Sequence, residues 1–149
     1  MKVLGVVLQK NYLRFAIVGG DKDAPNLVAK GRQATSDPDD TAGLMDWYET
    51  HFEHLITEYE PDAIAYKLTL EPTLEQLHTL AFPMGVLNLL AKKNNIPAYE
   101  YSSRGITTAK LGLPKATDLM KLVDTVFGEH PPYWDKSQKE AILVAWFRL

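Results

Sequence analysis

Histidines and carboxylates are the side chains of this sequence that could bind a metal ion or transfer a proton. His51 and His54 stand three residues apart in a segment of helical periodicity, so both would lie on one helix face, a spacing that zinc sites use. The sequence offers no evident third ligand beside them. We therefore favour a solvated helix face over a zinc site for this histidine pair.

A second pattern with chemical potential is Ser137-Gln138-Lys139-Glu140, which precedes an apolar helical segment. A serine followed three residues later by a glutamate is typical of a capping box, in which each side chain bonds a free amide of the first helical turn. The pattern predicts that Ser137 caps a helix over 137–148 and that Glu140 reaches back to it. A catalytic role for Glu140 is the alternative.

Composition limits the classes of function open to the chain. Its 149 residues suit one domain, 1–149, with a full hydrophobic core. Cysteine is absent, which excludes disulfides and cysteine-based zinc sites and favours a cytoplasmic location. No apolar run reaches the roughly 18 residues of a membrane span, so we expect no membrane partner. The net charge of −3 disfavours tight binding to nucleic acid, which depends on lysine and arginine.

The hydrophobic pattern predicts three strands followed by alternating helices and strands. The strands are expected at 3–8, 12–18, 26–32, 63–68 and 96–101. Helices are expected at 41–59, at 73–94 with an interruption at Pro83, near 103–110 and 115–127, and at 137–148. In the second strand, alternation between Leu13 and Ile17 predicts that a single face meets the core.

This order of elements predicts the fold class. Three consecutive strands would form an antiparallel meander, and the later strands, each following a helix, would add in parallel. We expect an α/β domain with a five-stranded mixed sheet, strand order 3-2-1-4-5, and helices on both faces. The first strand, near 2–9, is expected at the centre because it is apolar throughout and central strands are covered on both faces.

Several stretches resemble the RuvC family of Holliday junction resolvases, whose fold is ribonuclease H-like. They occur in the family's order across nearly the whole chain. The stretches are Val3-Leu4-Gly5-Val6, 56–65, 97–104, Lys110-Leu111-Gly112 and 141–145. They resemble the family's opening strand, the passage into its fourth strand, its fifth strand and exit, a turn before a helix, and the terminal helix. The resemblance implies a ribonuclease H-like domain.

The family's catalytic acids are mostly missing from the matching positions. Members of the family cut DNA with two Mg²⁺ ions held by four carboxylates, because each hard cation must gain oxygen ligands for the water it loses. The resemblance places those acids at Val7, Lys67, Ser137 and Glu140, so one acid of four remains. Val7 supplies no ligand, and Lys67 brings a positive charge to a place meant for cations.

Two functions are compatible with this resemblance. The leading expectation is a non-catalytic RuvC-like domain with a degenerate active site and no cofactor, which acts by binding protein or nucleic acid. The alternative is a metal-dependent, structure-selective DNA endonuclease with a rearranged acidic site, for example Asp21, Asp135 and Glu140. Mg²⁺ would be its cofactor.

An ion pair is expected at the positions of the missing metal ligands. If the register of the resemblance holds, the end of the fourth strand and the start of the last helix face one another and carry opposite charges, Lys67 and Glu140. We expect the Lys67 ammonium to pair with Glu140, with Val7 packed beneath. The competing expectation is the capping box alone, with Lys67 extended into solvent.

The partners that the sequence suggests are structured DNA and a second copy of the chain. Basic residues Arg104, Lys110 and Lys115 fall in the segment that the family uses against DNA, and we expect weak, salt-sensitive binding there. Aromatic side chains concentrate in the second half of the chain and could stack on bases, fill the core or form a homodimer interface. They are Tyr99, Tyr101, Tyr133, Trp134, Trp146 and Phe147.

Overall fold

The first strand forms the middle of the sheet because its side chains are apolar on both faces. In the computed structural model, which describes residues 1–149, β1 comprises Lys2–Gln9. Leu4 and Val6 pack into one hydrophobic cluster, while Val3 and Val7 pack into a second cluster on the opposite face. All four are at most 3% exposed. The predicted central position of this strand is confirmed.

The other four strands flank β1 in pairs. They are β2 (Tyr12–Gly20), β3 (Pro25–Ala34), β4 (Ala63–Leu68) and β5 (Ala98–Ser102). The order across the sheet is β3-β2-β1-β4-β5, which confirms the predicted order. The first three strands form an antiparallel meander, and β4 and β5 continue from β1 in parallel. The carboxyl ends of β1, β4 and β5 therefore meet at one edge of the sheet.

Four α-helices cover the two faces of this sheet. They are α1 (Thr41–Tyr59), α2 (Phe82–Lys93), α3 (Leu119–Phe127) and α4 (Lys136–Trp146). Helices α1 and α2 pack in the first cluster, and α3 and α4 pack in the second. Helices on both faces were predicted, and this prediction is confirmed. None of the helices is both long and apolar enough to cross a membrane.

The helix predicted over 73–94 is wrong in its first half. The segment begins with a 3₁₀ turn, Leu74–Gln76, and a π-helical turn, Leu77–Ala81, before α2 starts at Phe82. Pro83 is the second residue of α2 and does not interrupt it, because a proline in the first turn lacks only an N–H that has no helical partner. Apolar periodicity alone does not distinguish these helix types.

The two later helical segments are also shorter than predicted. Residues near 103–110 form two 3₁₀ turns, Ser103–Gly105 and Thr108–Leu111, and no α-helix. Helix α3 begins at Leu119 because the Asp118 side chain caps it. This side chain accepts hydrogen bonds from the backbone amides of Met120 and Lys121. The helix ends at Phe127, as predicted, and Gly128 follows as its C-terminal cap.

Helix α4 lies very close to the sheet, and a glycine makes this possible. A Cβ atom on Gly5 of β1 would overlap the backbone carbonyl of Ala141 and lie 3.0 Å from the Cβ of Ala145. The small side chains of α4 and the bare backbone of β1 thus set the depth of the helix on the sheet. This contact fixes where the first turn of α4 meets the ends of the strands.

Candidate functional site at the carboxyl ends of β1 and β4

The strand register places Val7 and Lys67 side by side. Val6 of β1 pairs with Tyr66 of β4, so the next residue of each strand projects to the opposite face, the one that α4 covers. Val7 is 3% exposed and belongs to the cluster beneath α4. Lys67 is at the margin of this cluster, with 22% of its side chain exposed.

Glu140 approaches Lys67 from the first turns of α4. The Lys67 Nζ lies 3.2 Å from Oε1 and 3.1 Å from Oε2 of Glu140, whose side chain is only 7% exposed. The lysine thus donates a hydrogen bond to Oε1 and forms an ion pair with Oε2, and the pair is largely buried. The predicted pairing of these residues is confirmed, and the extended, solvated lysine is wrong. Such a pair needs good geometry because both charges have lost most of their water.

The predicted capping box is wrong. Helix α4 begins at Lys136, so Ser137 is its second residue and cannot cap it. The cap is Asp135, whose carboxylate accepts a hydrogen bond from the amide of Gln138 at 3.1 Å. An aspartate in extended conformation two residues earlier competes successfully with Ser137 for the free amides. Glu140 is therefore free of the helix terminus and points at Lys67.

Arg14 is a residue of this site that sequence reasoning missed. It lies opposite Val7 across the β1–β2 pair and is 2% exposed. Its guanidinium forms two parallel hydrogen bonds to Asp135, of 2.9 and 2.6 Å, and a third to Gln9 of 2.9 Å. A bidentate pair of this kind is the strongest geometry open to arginine and carboxylate. It attaches the start of α4 to the sheet.

The burial of Arg14 follows from the pattern of β2 once both faces of this strand are known to be covered. The prediction that β2 meets the core with one face is wrong, because α4 covers the second face over Ala16 and Val18. Arg14 projects to that same covered face. A lone charged residue among small apolar ones on a strand face indicates a buried charge that needs an ionic partner, but only once that face is known to be covered.

Two aspartates at the base of α4 have lowered pKa values. Burial by itself would raise the pKa of Asp135, but hydrogen bonds from Arg14 and from the amide of Gln138 outweigh it, and the pKa lies below its usual value. Hydrogen bonds from Lys139 and Trp134 lower the pKa of Asp124. Both carboxylates are thus charged and fully engaged near neutral pH, as acceptors in the contacts that hold α3, α4 and β2 together.

The structure does not bring the proposed acidic trio together. Asp135 is held by Arg14, Glu140 is held by Lys67, and nowhere do three histidine, aspartate or glutamate side chains group so that they could hold a metal ion. His54 pairs with Glu58 at 3.1 Å on the exposed side of α1. His51 stacks on Trp47 with its ring 3.7 Å away. Val7, Lys67 and Ser137 offer no carboxylate, so together with Glu140 they do not fit two divalent cations.

The predicted basic residues lie beyond β5. Arg104 and Lys110 lie on the two 3₁₀ turns, Lys115 lies in the loop before α3, and all three are exposed. The Lys110 ammonium lies 5.7 Å from the centre of the Tyr101 ring, and this ring neighbours Lys67 across the β4–β5 pair. Lys110 therefore borders the same end of the sheet as the Lys67–Glu140 pair.

The aromatic side chains divide between the core and the surface. Trp146 and Phe147 are buried within this chain, where the rings of Phe127 and Tyr101 pack against them edge to face. Docking onto the sheet is therefore the role of this pair, and neither ring is available to a second subunit. Tyr133 is half exposed, although the Arg32 guanidinium lies 3.7 Å from its ring centre.

Solved structures of Holliday junction resolvases are similar to this chain over nearly its full length. RuvC of Thermus thermophilus in complex with a Holliday junction substrate matches with a TM-score of 0.81 and 16% identity, over 99% of this chain and 92% of that one. Another T. thermophilus RuvC structure matches with a TM-score of 0.78 and 17% identity, over 99% and 92%. The yeast mitochondrial resolvase Ydc2 matches with a TM-score of 0.73 and 14% identity, over 98% and 77%.

These likenesses are structural, at sequence identities of 14 to 17%. No protein-family model and no curated protein matches the sequence. The strand order, the helices on both faces and the closing helix over β1 agree with the ribonuclease H-like architecture that the sequence resemblance implied. The chain therefore has the RuvC-like α/β fold of the Holliday junction resolvases.

Proposed function

We propose that this protein is a RuvC-like domain, spanning residues 1–149, that binds nucleic acid without cutting it. The observation that carries the proposal is the Lys67–Glu140 ion pair, at 3.1 Å, at the positions where the resemblance places ligands of the family's metal ions. An internal ammonium supplies the positive charge that divalent cations would otherwise supply. In this degenerate site the Lys67 ammonium thus takes the place of the metal ions. It balances the charge of Glu140, the one acid that remains.

The chemistry of Mg²⁺ supports a non-catalytic role. Each ion needs several oxygen ligands at short distance, and a pair of ions needs carboxylates that bridge or flank both. Val7 provides no oxygen, and a cation next to Lys67 would be repelled by several kcal/mol at an effective dielectric constant of about 20. Asp135, the other acid nearby, already gives both its oxygens to Arg14.

The rival function is a metal-dependent, structure-selective DNA endonuclease with a rearranged acidic site. The likeness to resolvase structures favours it, since one of them holds a Holliday junction. It requires Glu140 and Asp135 to exchange their basic partners for metal ions. The two proposals differ in what they predict for metal binding.

We expect the unmodified protein to bind neither Mg²⁺ nor Mn²⁺ in calorimetric titration and to leave branched and duplex DNA intact. We expect a variant with Val7→Asp, Lys67→Glu and Ser137→Asp to acquire a Mn²⁺ site. Together with Glu140, it would carry an acid at each of the four positions that the resemblance assigns to metal ligands. Its melting temperature should rise with added Mn²⁺, since an ion that binds only the folded state stabilises it.

The unmodified protein is the matched control for that variant, and circular dichroism establishes that both are folded. A micromolar Mn²⁺ site in the unmodified protein that Glu140→Gln abolishes would contradict the proposal, and cleavage of DNA with that ion would establish the endonuclease alternative.

We further propose that Arg104, Lys110 and Lys115 carry weak, salt-sensitive binding to structured DNA. Replacing all three by glutamine should weaken binding to a four-way junction, measured by fluorescence anisotropy. The slope of log affinity against log salt should become shallower by about 0.9 for each phosphate that the protein no longer neutralises. Lys92→Gln and Lys93→Gln on α2 are the controls. Nanomolar affinity that persists at high salt, or an unchanged slope in the triple variant, would contradict this prediction.

A homodimer through α2 is the third part of the proposal. Phe82 and Leu89 are about half exposed, at 50% and 51%, and stand seven residues apart on one helix face. Gly85 between them adds no side chain, so the two apolar side chains stand on an otherwise flat part of the helix surface. Sedimentation velocity should show a dimer that Phe82→Lys and Leu89→Lys convert to a monomer. A monomer before any substitution would contradict the prediction.

A cytoplasmic location stays a prediction from composition.

A further inference from the structure

A cavity of about 510 Å³ lies at the outer edge of β5, and it contains neither Lys67 nor Glu140. Strand β5 is an edge strand, so the cavity is open along one side. The residues that give it its chemistry are Lys22, Tyr99, Glu100, Tyr101, Lys110 and Arg148. Its volume is in the range of sites for small organic ligands.

Three cations converge on this cavity, and none of them forms an ion pair within the protein. The Arg148 guanidinium lies over the Tyr99 ring, 3.5 Å from its centre, in a cation–π contact. The Nε of Arg148 is buried and has no hydrogen-bond partner. Glu100 is the one carboxylate in the lining. The cavity is therefore positive, in a protein whose net charge is −3.

The geometry favours a phosphoryl group as the anion. An arginine held flat against a tyrosine presents its N–H groups in a fixed fork, which matches the oxygens of a phosphate. Lysines on two different loops, Lys22 and Lys110, add mobile point charges on either side. Two tyrosine hydroxyls can donate further hydrogen bonds to the same oxygens.

A second, mostly apolar cavity of about 270 Å³ shares Lys22 with the positive one. Its apolar walls are formed by side chains that precede α3, by α3 itself and by α4, among them Leu111, Leu122 and Trp146, and Asp23 is the one carboxylate in its lining. A ligand that spans both cavities would carry a charged phosphate at one end and a flat, weakly polar group at the other. Nucleotides combine these two parts, a phosphate and a flat base.

We propose that the two cavities together bind a nucleoside phosphate, with its phosphate against Arg148, Lys22 and Lys110 and its base in the apolar cavity. The proposal does not depend on the proposed function of the Lys67–Glu140 site. Only Lys110 is shared with the proposed DNA surface, so the tests below use Arg148 and Lys22.

Calorimetric titration of the full chain with adenosine monophosphate, adenosine and inorganic phosphate tests the proposal. We expect binding of the nucleotide, with adenosine and phosphate each at least about tenfold weaker because each makes only one half of the interactions. Arg148→Gln and Lys22→Gln should each weaken nucleotide binding about tenfold, as expected for loss of a charge-assisted hydrogen bond. Lys93→Gln on the opposite face of the sheet is the control and should change nothing.

Lys22→Gln alters an exposed side chain, so its effect on binding can be read even if Arg148→Gln is poorly folded. Absence of nucleotide binding at millimolar concentration, or equal affinity for nucleotide and inorganic phosphate, would overturn the proposal. So would nucleotide binding that both substitutions leave unchanged.

Discussion

Replacement of Gly5 by alanine is expected to destabilise the protein by about 3 kcal/mol or more, at the upper end of what overpacking a core costs. The new Cβ would overlap the backbone carbonyl of Ala141, and a backbone atom cannot rotate away as a side chain can. Either α4 must lift from the sheet or β1 must shift, and both movements open the cluster beneath α4. Urea denaturation followed by circular dichroism measures the change in the free energy of unfolding.

Gly85→Ala, measured at a protein concentration at which the chain is monomeric, is the matched control for that substitution. Gly85 is exposed on α2, and a Cβ there would meet no atom within 4 Å. Alanine in place of glycine within a helix should stabilise the protein by up to about 1 kcal/mol. Loss of stability in Gly5→Ala no larger than about 1 kcal/mol would show that α4 can adjust its height on the sheet, contrary to the close approach of Gly5 and Ala141.

Replacement of Lys67 by methionine is expected to destabilise the protein by about 2 to 4 kcal/mol, because it leaves the buried Glu140 carboxylate without its partner. The double substitution Lys67→Met with Glu140→Leu should recover most of that loss, since it removes the buried charge together with its partner. Denaturation of both single variants and the double variant gives the coupling free energy of the pair, expected at about 1 to 3 kcal/mol.

The exposed His54–Glu58 pair on α1 provides a comparison for the buried one. Its two side chains are 67% and 49% exposed, so Glu58→Gln should change stability by less than about 0.5 kcal/mol. Additive effects of the Lys67 and Glu140 substitutions would mean that the two charges do not interact, and the replacement of metal ions by an internal ammonium would lose its support.

The strand order could be predicted from the sequence because it depends on local patterns and a few general rules. A strand that is apolar from Val3 to Leu8 must be covered on both faces, and strands that follow helices add in parallel. The pairing of Lys67 with Glu140 could be predicted as well, but only through the resemblance to RuvC, which supplied the register. Periodicity by itself gives no distance between residues 67 and 140.

The errors at the site have a common cause. Ser137 and Glu140 have the spacing of a capping box, yet Asp135 caps α4 because Arg14 already holds its carboxylate at the start of the helix. That arginine comes from β2, more than a hundred residues earlier in the chain. The local sequence offers both Asp135 and Ser137 as caps, and the contact with the distant Arg14 selects Asp135.

The sequence by itself determined the alternation of strands and helices, the central position of β1, the absence of thiol chemistry and the shortage of acids at the positions that the resemblance marks. The tertiary structure alone decided which charges meet: Arg14 with Asp135, Lys67 with Glu140, and Arg148 with the ring of Tyr99. Periodicity is a property of neighbouring residues, so the chain displays it before folding. Ion pairing and burial depend on how deeply α4 settles on the sheet, and the bare backbone at Gly5 sets that depth only after both elements have formed.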